Sequence, residues 1–374
     1  MELLLMRSHI LLCLLPVIAV GIPAQHLVGP GGLPQISSAL AVAAPGATIH
    51  VMPGVYEPFT VSIGCTIRAL SPGSVTIAPA GTRVTTTIAP PAGQTAHIVG
   101  LNFDDPSSWG TSVVVVSGGR ATFEQCNLTS LFGGPLAVQG ASAHLQACTV
   151  SAQGHLGISP GMRATNSQVT AIDTTFRGSP IASLPHPTGQ PGVDLVDSTF
   201  HASVCSIFAG VEFGAVALRT SGGQVWLSDS SVVSVAGCAI SATGSVVVDR
   251  CSLQGWSCTV PTSGELLGVS RSSALQNGAT FALSYRTIPN SYAAIFASQE
   301  LGTLTIPGLH AQTQWLGGGI INLGLVFADG LGQVNANWAI PAGTWLIDQP
   351  LWFQGLTGFA LPLQLSPVAG GVIR

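Results

Sequence analysis

Between residues 96 and 253 apolar and small polar positions alternate in short runs, and seven octets superimpose. They are 96–103, 121–128, 143–150, 169–176, 193–200, 225–232 and 246–253. Aligned on the sixth residue, they recur at intervals of 25, 22, 26, 24, 32 and 21 residues. The first column is always Ala or Val. The third holds Ile98, Phe123, Leu145, Ala171, Leu195, Leu227 and Val248; the eighth is apolar, and the seventh is Asn, Thr or Ser. Such alternation is the period of a half-buried strand. The fourth and fifth columns break it, as a corner between two short strands must. A repeat of about 25 residues with two or three strands describes one coil of a parallel β-solenoid, whose strands stack on the coils above and below at about 4.8 Å. A Greek-key sandwich would give no reason for seven octets in register.

The flanks read differently. Residues 33–44 place Leu33, Ile36, Leu40 and Ala43 on a helical stripe ended by Pro45-Gly46, which predicts a helix capping the open end of the solenoid. Strand-like Thr48–Val51, a Pro53-Gly54 turn and Tyr56 follow. Residues 267–374 contain no Cys and four of the seven Trp, and their short apolar runs between Gly, Pro and Asn turns predict a small antiparallel, β-sandwich-like module. That module is expected to cover the solenoid's far end, with surface attachment as the other reading. At the N-terminus, Arg7, the apolar run 10–21 and the small residues after it read as a secretory signal over residues 1–25. The expected organisation is a leader (1–25), an all-β solenoid (26–262) and the antiparallel module (267–374). No later segment is long and apolar enough to span a bilayer as a helix.

Composition narrows the classes. Charged residues make up 7% of the chain, all 11 basic residues are Arg, and the net charge is −4, which excludes a basic nucleic-acid binder. The 47% hydrophobic content excludes a disordered chain. Seven cysteines follow the leader: Cys65, Cys126, Cys148, Cys205, Cys238, Cys251 and Cys258. Cys126 and Cys148 share the sixth column one coil apart, placed either to bridge or to stack as thiols.

Ile36, Ala39, Leu40, Pro45, Gly46, Thr48, Ile49, Val51, Pro53, Gly54 and Tyr56, followed by imperfect coils, resemble the right-handed parallel β-helix superfamily typified by pectin and pectate lyases. The resemblance covers about residues 26–262 and implies the fold; that fold hosts lyases, hydrolases, esterases, adhesins and proteins without known activity. Ile340-Pro341, Leu346, Gln354, Leu365 and Ser366 are similar to C-terminal β-modules of secreted proteins from planctomycete-like bacteria.

The fifth column carries Asp173, Asp197 and Asp229, then Arg250. On successive coils the three carboxylates could hold Ca²⁺, or supply the acid and base of glycoside hydrolysis, with Arg177 as the base of a lyase. The preferred reading is plainer: Asp suits sharp corners because its side chain bonds the turning backbone. The catalytic patterns of the resembling enzymes are largely missing. Asp104-Asp105 precedes Pro106, Gly154-His155-Leu156 stands where Gly-His-Gly is wanted, and Gly157–Gly161 matches G-x-S-x-G but has Pro160 after the Ser. His97 and His144 share an outward column two coils apart, too far to co-ligate a metal, and Trp226 in that column could stack on a sugar. The expectation is a secreted or cell-surface protein with a non-catalytic binding, display or structural role, its partner a polysaccharide or envelope component. The alternative is a polysaccharide lyase or glycoside hydrolase acting on acidic polysaccharide. No cofactor is expected, with Ca²⁺ the one candidate.

Overall fold

The computed structural model describes residues 24–79, 84–105, 112–154, 159–180, 189–211, 214–256, 259, 261–263, 266, 268–271, 274–304, 314–317, 319–357 and 364–374. Residues 1–23 of the expected leader, His155 and Leu156, Gly157 of the G-x-S-x-G match, Pro106 and Cys258 lie outside them. The chain winds through about eight turns of a parallel β-solenoid. Its walls are a first sheet of eleven strands, a second of nine and a third of eight. One coil runs through Arg120–Glu124 (first sheet), Asn127–Ser130 (second) and Leu136–Gln139 (third), and the next returns to the first sheet at Ser142–Gln146.

Side chains pointing inward form ladders. In the first sheet Ile49, Ile67, Ile98, Phe123, Leu145, Ala171, Ala202, Leu227 and Val248 each pair with the next. In the second, Phe103 lies over Leu128, Leu128 over Val150, and the ladder continues through Phe176, Ile207 and Val232. Ile88, Val116, Val138, Ala164 and Leu195 line the third. These residues share one core cluster running along the stack. No single coil could enclose its apolar columns; each is sealed by its neighbours.

The corners explain the Cys, Thr and Ser of the sixth column. After the seven first-sheet strands from Thr95–Val99 to Ser245–Asp249 one residue adopts positive φ: Gly100 (73°), Gln125 (53°), Ala147 (52°), Asp173 (48°), Val204 (55°), Asp229 (49°) and Arg250 (50°). The next side chain donates back to the carbonyl two residues earlier. Cys126 bonds Glu124, Cys148 bonds Gln146, Thr174 bonds Ile172, Cys205 bonds Ser203, Ser230 bonds Ser228 and Cys251 bonds Asp249. A small S–H or O–H donor is what the position selects. Accordingly Cys126 and Cys148 stack as free thiols and do not bridge; Cys65, Cys205 and Cys251 are free as well, while Cys238 is disulfide-bonded.

Two expectations shift. Phe200, not Val193, pairs with Val169, so the coil's octet is 200–207. Strand Val193–Val196 belongs to the third sheet, between Met162–Thr165 and Leu218–Ser221. The helix expected over residues 33–44 is reduced to Ile36–Leu40, without a side-chain cap at Gln35; Ile36 and Ala39 are buried in the solenoid core.

Beyond Thr262–Ser263 all strand pairing among the described residues is antiparallel. Gly268–Arg271, Thr280–Arg286 and Gln333–Ala339 form a three-stranded sheet. Tyr292–Ser298 pairs with Ile321–Phe327 and Pro350–Thr357, and the latter with Ala369–Val372. Phe353 stacks on Phe281 (5.2 Å) and Trp338 (5.4 Å) at the centre of this module. Two residues of its expected pattern meet: Gln354 Nε2 donates to the Ser366 carbonyl at 2.9 Å. Ser252–Trp256 at the solenoid's far end is exposed along its length, so the described residues of the module do not cover this strand. The module lies against the outer face of the first sheet. Ile172, an outward residue of that sheet, belongs to the module's own core cluster.

Candidate functional site

The register separates the three candidate aspartates. Asp173 and Asp229 occupy the corner between first and second sheets, two coils apart with Val204 between them, so their backbones are about 10 Å apart. Asp197 sits on the opposite corner, in a column with Gly140, Asn166 and Gly222, all at positive φ. The expected row of three carboxylates on successive coils is therefore corrected to a pair plus one. Among the described residues no group of three or more His, Cys, Asp or Glu side chains is arranged to hold a metal ion. Arg177, proposed as a base beside Asp173, places its guanidinium 4.7 Å over the Phe208 ring on the outer face of the second sheet.

Asp229 is clasped by cations. Arg250 spans its carboxylate through Nε (2.9 Å) and Nη2 (3.0 Å), and Arg286 of the C-terminal module reaches Oδ1 at 3.1 Å. Arg250 also bonds Asp249 and the Leu266 carbonyl. Burial works against the Arg250 charge, but Asp229 and Asp249 outweigh it and hold its pKa above the ordinary value. A carboxylate paired on both oxygens is poorly placed to accept or deliver a proton. Beside it runs an open cleft of about 370 Å³. Its floor is the outward face of the three-stranded sheet, with Ser270, Ser284 and Asn335 in register; the solenoid corner at Val204 and Asp229 forms its wall.

The outer face of the first sheet, where Trp226 and the histidines point, is interior. Trp226 is 3% exposed, lying 6.0 Å from the His201 ring, so it is not an open platform for a sugar. His97 and His144 flank Trp352 of the module, at ring separations of 5.9 and 5.3 Å. Asp348 takes Arg68 (2.6 Å) and His50 (3.2 Å); burial pushes its carboxyl up, but His50 and Arg68 outweigh that and hold it below the usual range. The last strand is read by the solenoid: Val372 N–H donates to Glu124 at 3.0 Å and Gly370 N–H to Gln146 at 3.1 Å. Burial drives the His97 pKa down to about 4, with Arg120 adding to the effect, and that of His201 down to about 3.

The third sheet carries a feature the sequence reading missed. Arg163, Asp194 and Arg219 stack on consecutive coils, and both arginines bond the buried Asp194 in pairs of contacts of 2.8–3.0 Å. Burial raises the Asp194 carboxyl, but Arg219 and then Arg163 overcome it and lower its pKa. Opposite charges at equal places in three coils were the available signal, hidden by the misplaced octet. Of the residues in the other motifs, Asp104 accepts from Thr129 at 3.1 Å and Asp105 is buried. No family model matches the chain, and no curated protein matches it.

Proposed function

We propose that this chain is a secreted or cell-surface right-handed β-helix, similar to the pectin lyase-like superfamily, that binds or displays and does not catalyse. Its short N-terminal helix would close the first coil, and the C-terminal module would hold the solenoid at the envelope or to a polysaccharide. The observation that carries this reading is the state of the candidate acids: Asp229 is locked between Arg250 and Arg286, and Asp197 lies on another corner. The outward face of the second sheet supports display. Thr76, Asn102, Asn127, Thr149, Thr175, Ser206, Ser231 and Ser252 form one small polar ladder along it, a regular surface of hydroxyls and amides at strand spacing.

The test is incubation with acidic and neutral polysaccharides, with and without Ca²⁺, reading product formation and retardation in affinity electrophoresis. Retardation without product is expected. Turnover that Asp197→Ala or Asp229→Ala abolishes while the fold persists would replace this reading with a lyase or hydrolase.

A further inference from the structure

We propose that the cleft at Arg120, at the corner between the third and first sheets, is a binding site for an oxyanion group: a carboxylate, sulfate or phosphate that also carries a hydrogen-bond donor. The cleft encloses about 370 Å³ where the third sheet turns into the first, between the corner glycines Gly93, Gly119 and Gly140 and the side chains of Arg120, Ser142 and Gln168. Arg120 is the last cation expected in such a place. It is 8% exposed, and its partners are the Leu301 carbonyl (2.5 Å) and the Thr95 hydroxyl (3.4 Å), neither of them charged. Arg68, Arg163, Arg219, Arg250, Arg286 and Arg374 each meet a carboxylate, whereas Arg120 is buried without one among the described residues. A buried charge left uncompensated is costly, and a chain with 11 basic residues retains it here.

The geometry says which group is missing. Both described bonds use Nη1, which fixes the guanidinium plane, and Nε is buried with no partner. The Nε–Nη2 edge is the one that grips carboxylate, sulfate or phosphate oxygens through two parallel bonds. Two strands along, Gln168 Oε1 is also buried without a partner. Arg120, Ser142 and Gln168 are in register on three coils, so Gln168 lies about 10 Å from Arg120 along the stack. A ligand with an oxyanion at one end and a hydroxyl or amide donor at the other satisfies both. Burial alone lowers the Arg120 pKa, as expected of a cation waiting for its anion. This site stands independently of the display reading, since a binder and an enzyme would use it alike.

The test uses the intact protein and follows the arginine Nε–H resonances by NMR during titration with sulfate, inorganic phosphate and D-glucuronate at matched ionic strength, with D-glucose as the neutral control. One buried resonance is expected to shift saturably with at least one anion and not with glucose, and the anion that saturates at the lowest concentration identifies the source. Arg120→Gln is expected to weaken that binding about tenfold or more, and Arg120→Lys, which keeps the charge but not the two-bond edge, by less. The proposal is overturned if no anion shifts a buried arginine resonance in the wild-type protein, a result that needs no variant to fold. It is equally overturned if folded Arg120→Gln binds as tightly as wild type.

Discussion

Acidification should loosen the C-terminal module from the solenoid before carboxylate protonation contributes. His97, stacked on Trp352 of the module, and His201, buried beside Trp226 on the same outer face, have pKa values lowered from 6.5 to about 4 and about 3. A histidine depressed in the fold stabilises it while neutral in both states, above 6.5. Below 6.5 the exposed imidazole takes up a proton that the docked one refuses, so stability falls until the docked pKa is reached. One pH unit between the two values is about 1.4 kcal/mol, so at about pH 4.5 each histidine contributes a loss of roughly 2–3 kcal/mol, or about 5 kcal/mol together. That is comparable with the whole stability of a small domain, about 5–15 kcal/mol. Arg120 is a cation beside His97, and the Asp348 ion pairs are retained above its lowered pKa. Urea midpoints at pH 7 and about 4.5, read by tryptophan fluorescence and by circular dichroism, measure the loss. Trp352 fluorescence should move first, because its ring lies between His97 and His144. In His97→Gln/His201→Gln most of the pH dependence should vanish, whatever the variant's absolute stability. Equal midpoints at the two pH values in the wild type, or an equal fall in the double variant, would refute the reasoning.

Three further outcomes are expected. Gly371→Ala drives a methyl group into the Glu124 carboxylate that receives Val372 N–H, and should cost about 1–3 kcal/mol, seen as a lower melting temperature with unchanged solenoid circular dichroism. Asp194→Asn removes the charge that joins Arg163 to Arg219; as both arginines are about half exposed, the cost should be about 1 kcal/mol at neutral pH. Asp194 has a lowered pKa, so this difference in urea midpoint should persist above the ordinary carboxylate range and shrink as pH falls through the folded value. Cys126, Cys148 and Cys205 should resist a thiol reagent in the native protein and react once urea unfolds it. Burial pushes the Cys205 thiol up to about 12 and the Cys126 thiol well above its usual value.

The solenoid was legible because its periodicity is the physics of the ladders: Phe103, Leu128 and Val150 do lie over one another. One octet was misread for a reason that is also physical. Two of the three corners around a coil can use the same device, a residue at positive φ followed by a small donor. Asp197-Ser198 returns its hydroxyl to the Val196 carbonyl at 2.7 Å, and Asp229-Ser230 returns its own to Ser228 at 2.8 Å. Flanked by strands, the two corners look alike in sequence, and strand pairing alone distinguishes them. The lateral docking was invisible for a different reason. Thr122, His144 and Thr170 alternate with core residues and read as a solvated face, yet each is at most 3% exposed. Alternation reports which side of a strand a residue occupies and not what covers that side.

That covered face resolves a problem inherent to a repeat. A flank built from identical coils presents the same surface every 4.8 Å or so, and a module docking on it would have no unique position along the axis. A uniformly apolar flank would make this worse, and would be an aggregation surface before docking. Here the outward columns change from coil to coil: Arg68, Val99, Glu124, Gln146 and Ile172 in one, His97, Thr122, His144, Thr170, His201 and Trp226 in the other. Trp352 fits where two histidines stand two coils apart, and the backbone of the last strand fits where Glu124 and Gln146 are adjacent. Moving the module by one coil would put Trp352 over Thr122 and Thr170, and the strand amides over Gln146 and Ile172, an apolar side chain that accepts nothing. The polar groups thus buy position more than stability, which accounts for a buried junction rich in histidine and amide side chains in a chain that is only 7% charged.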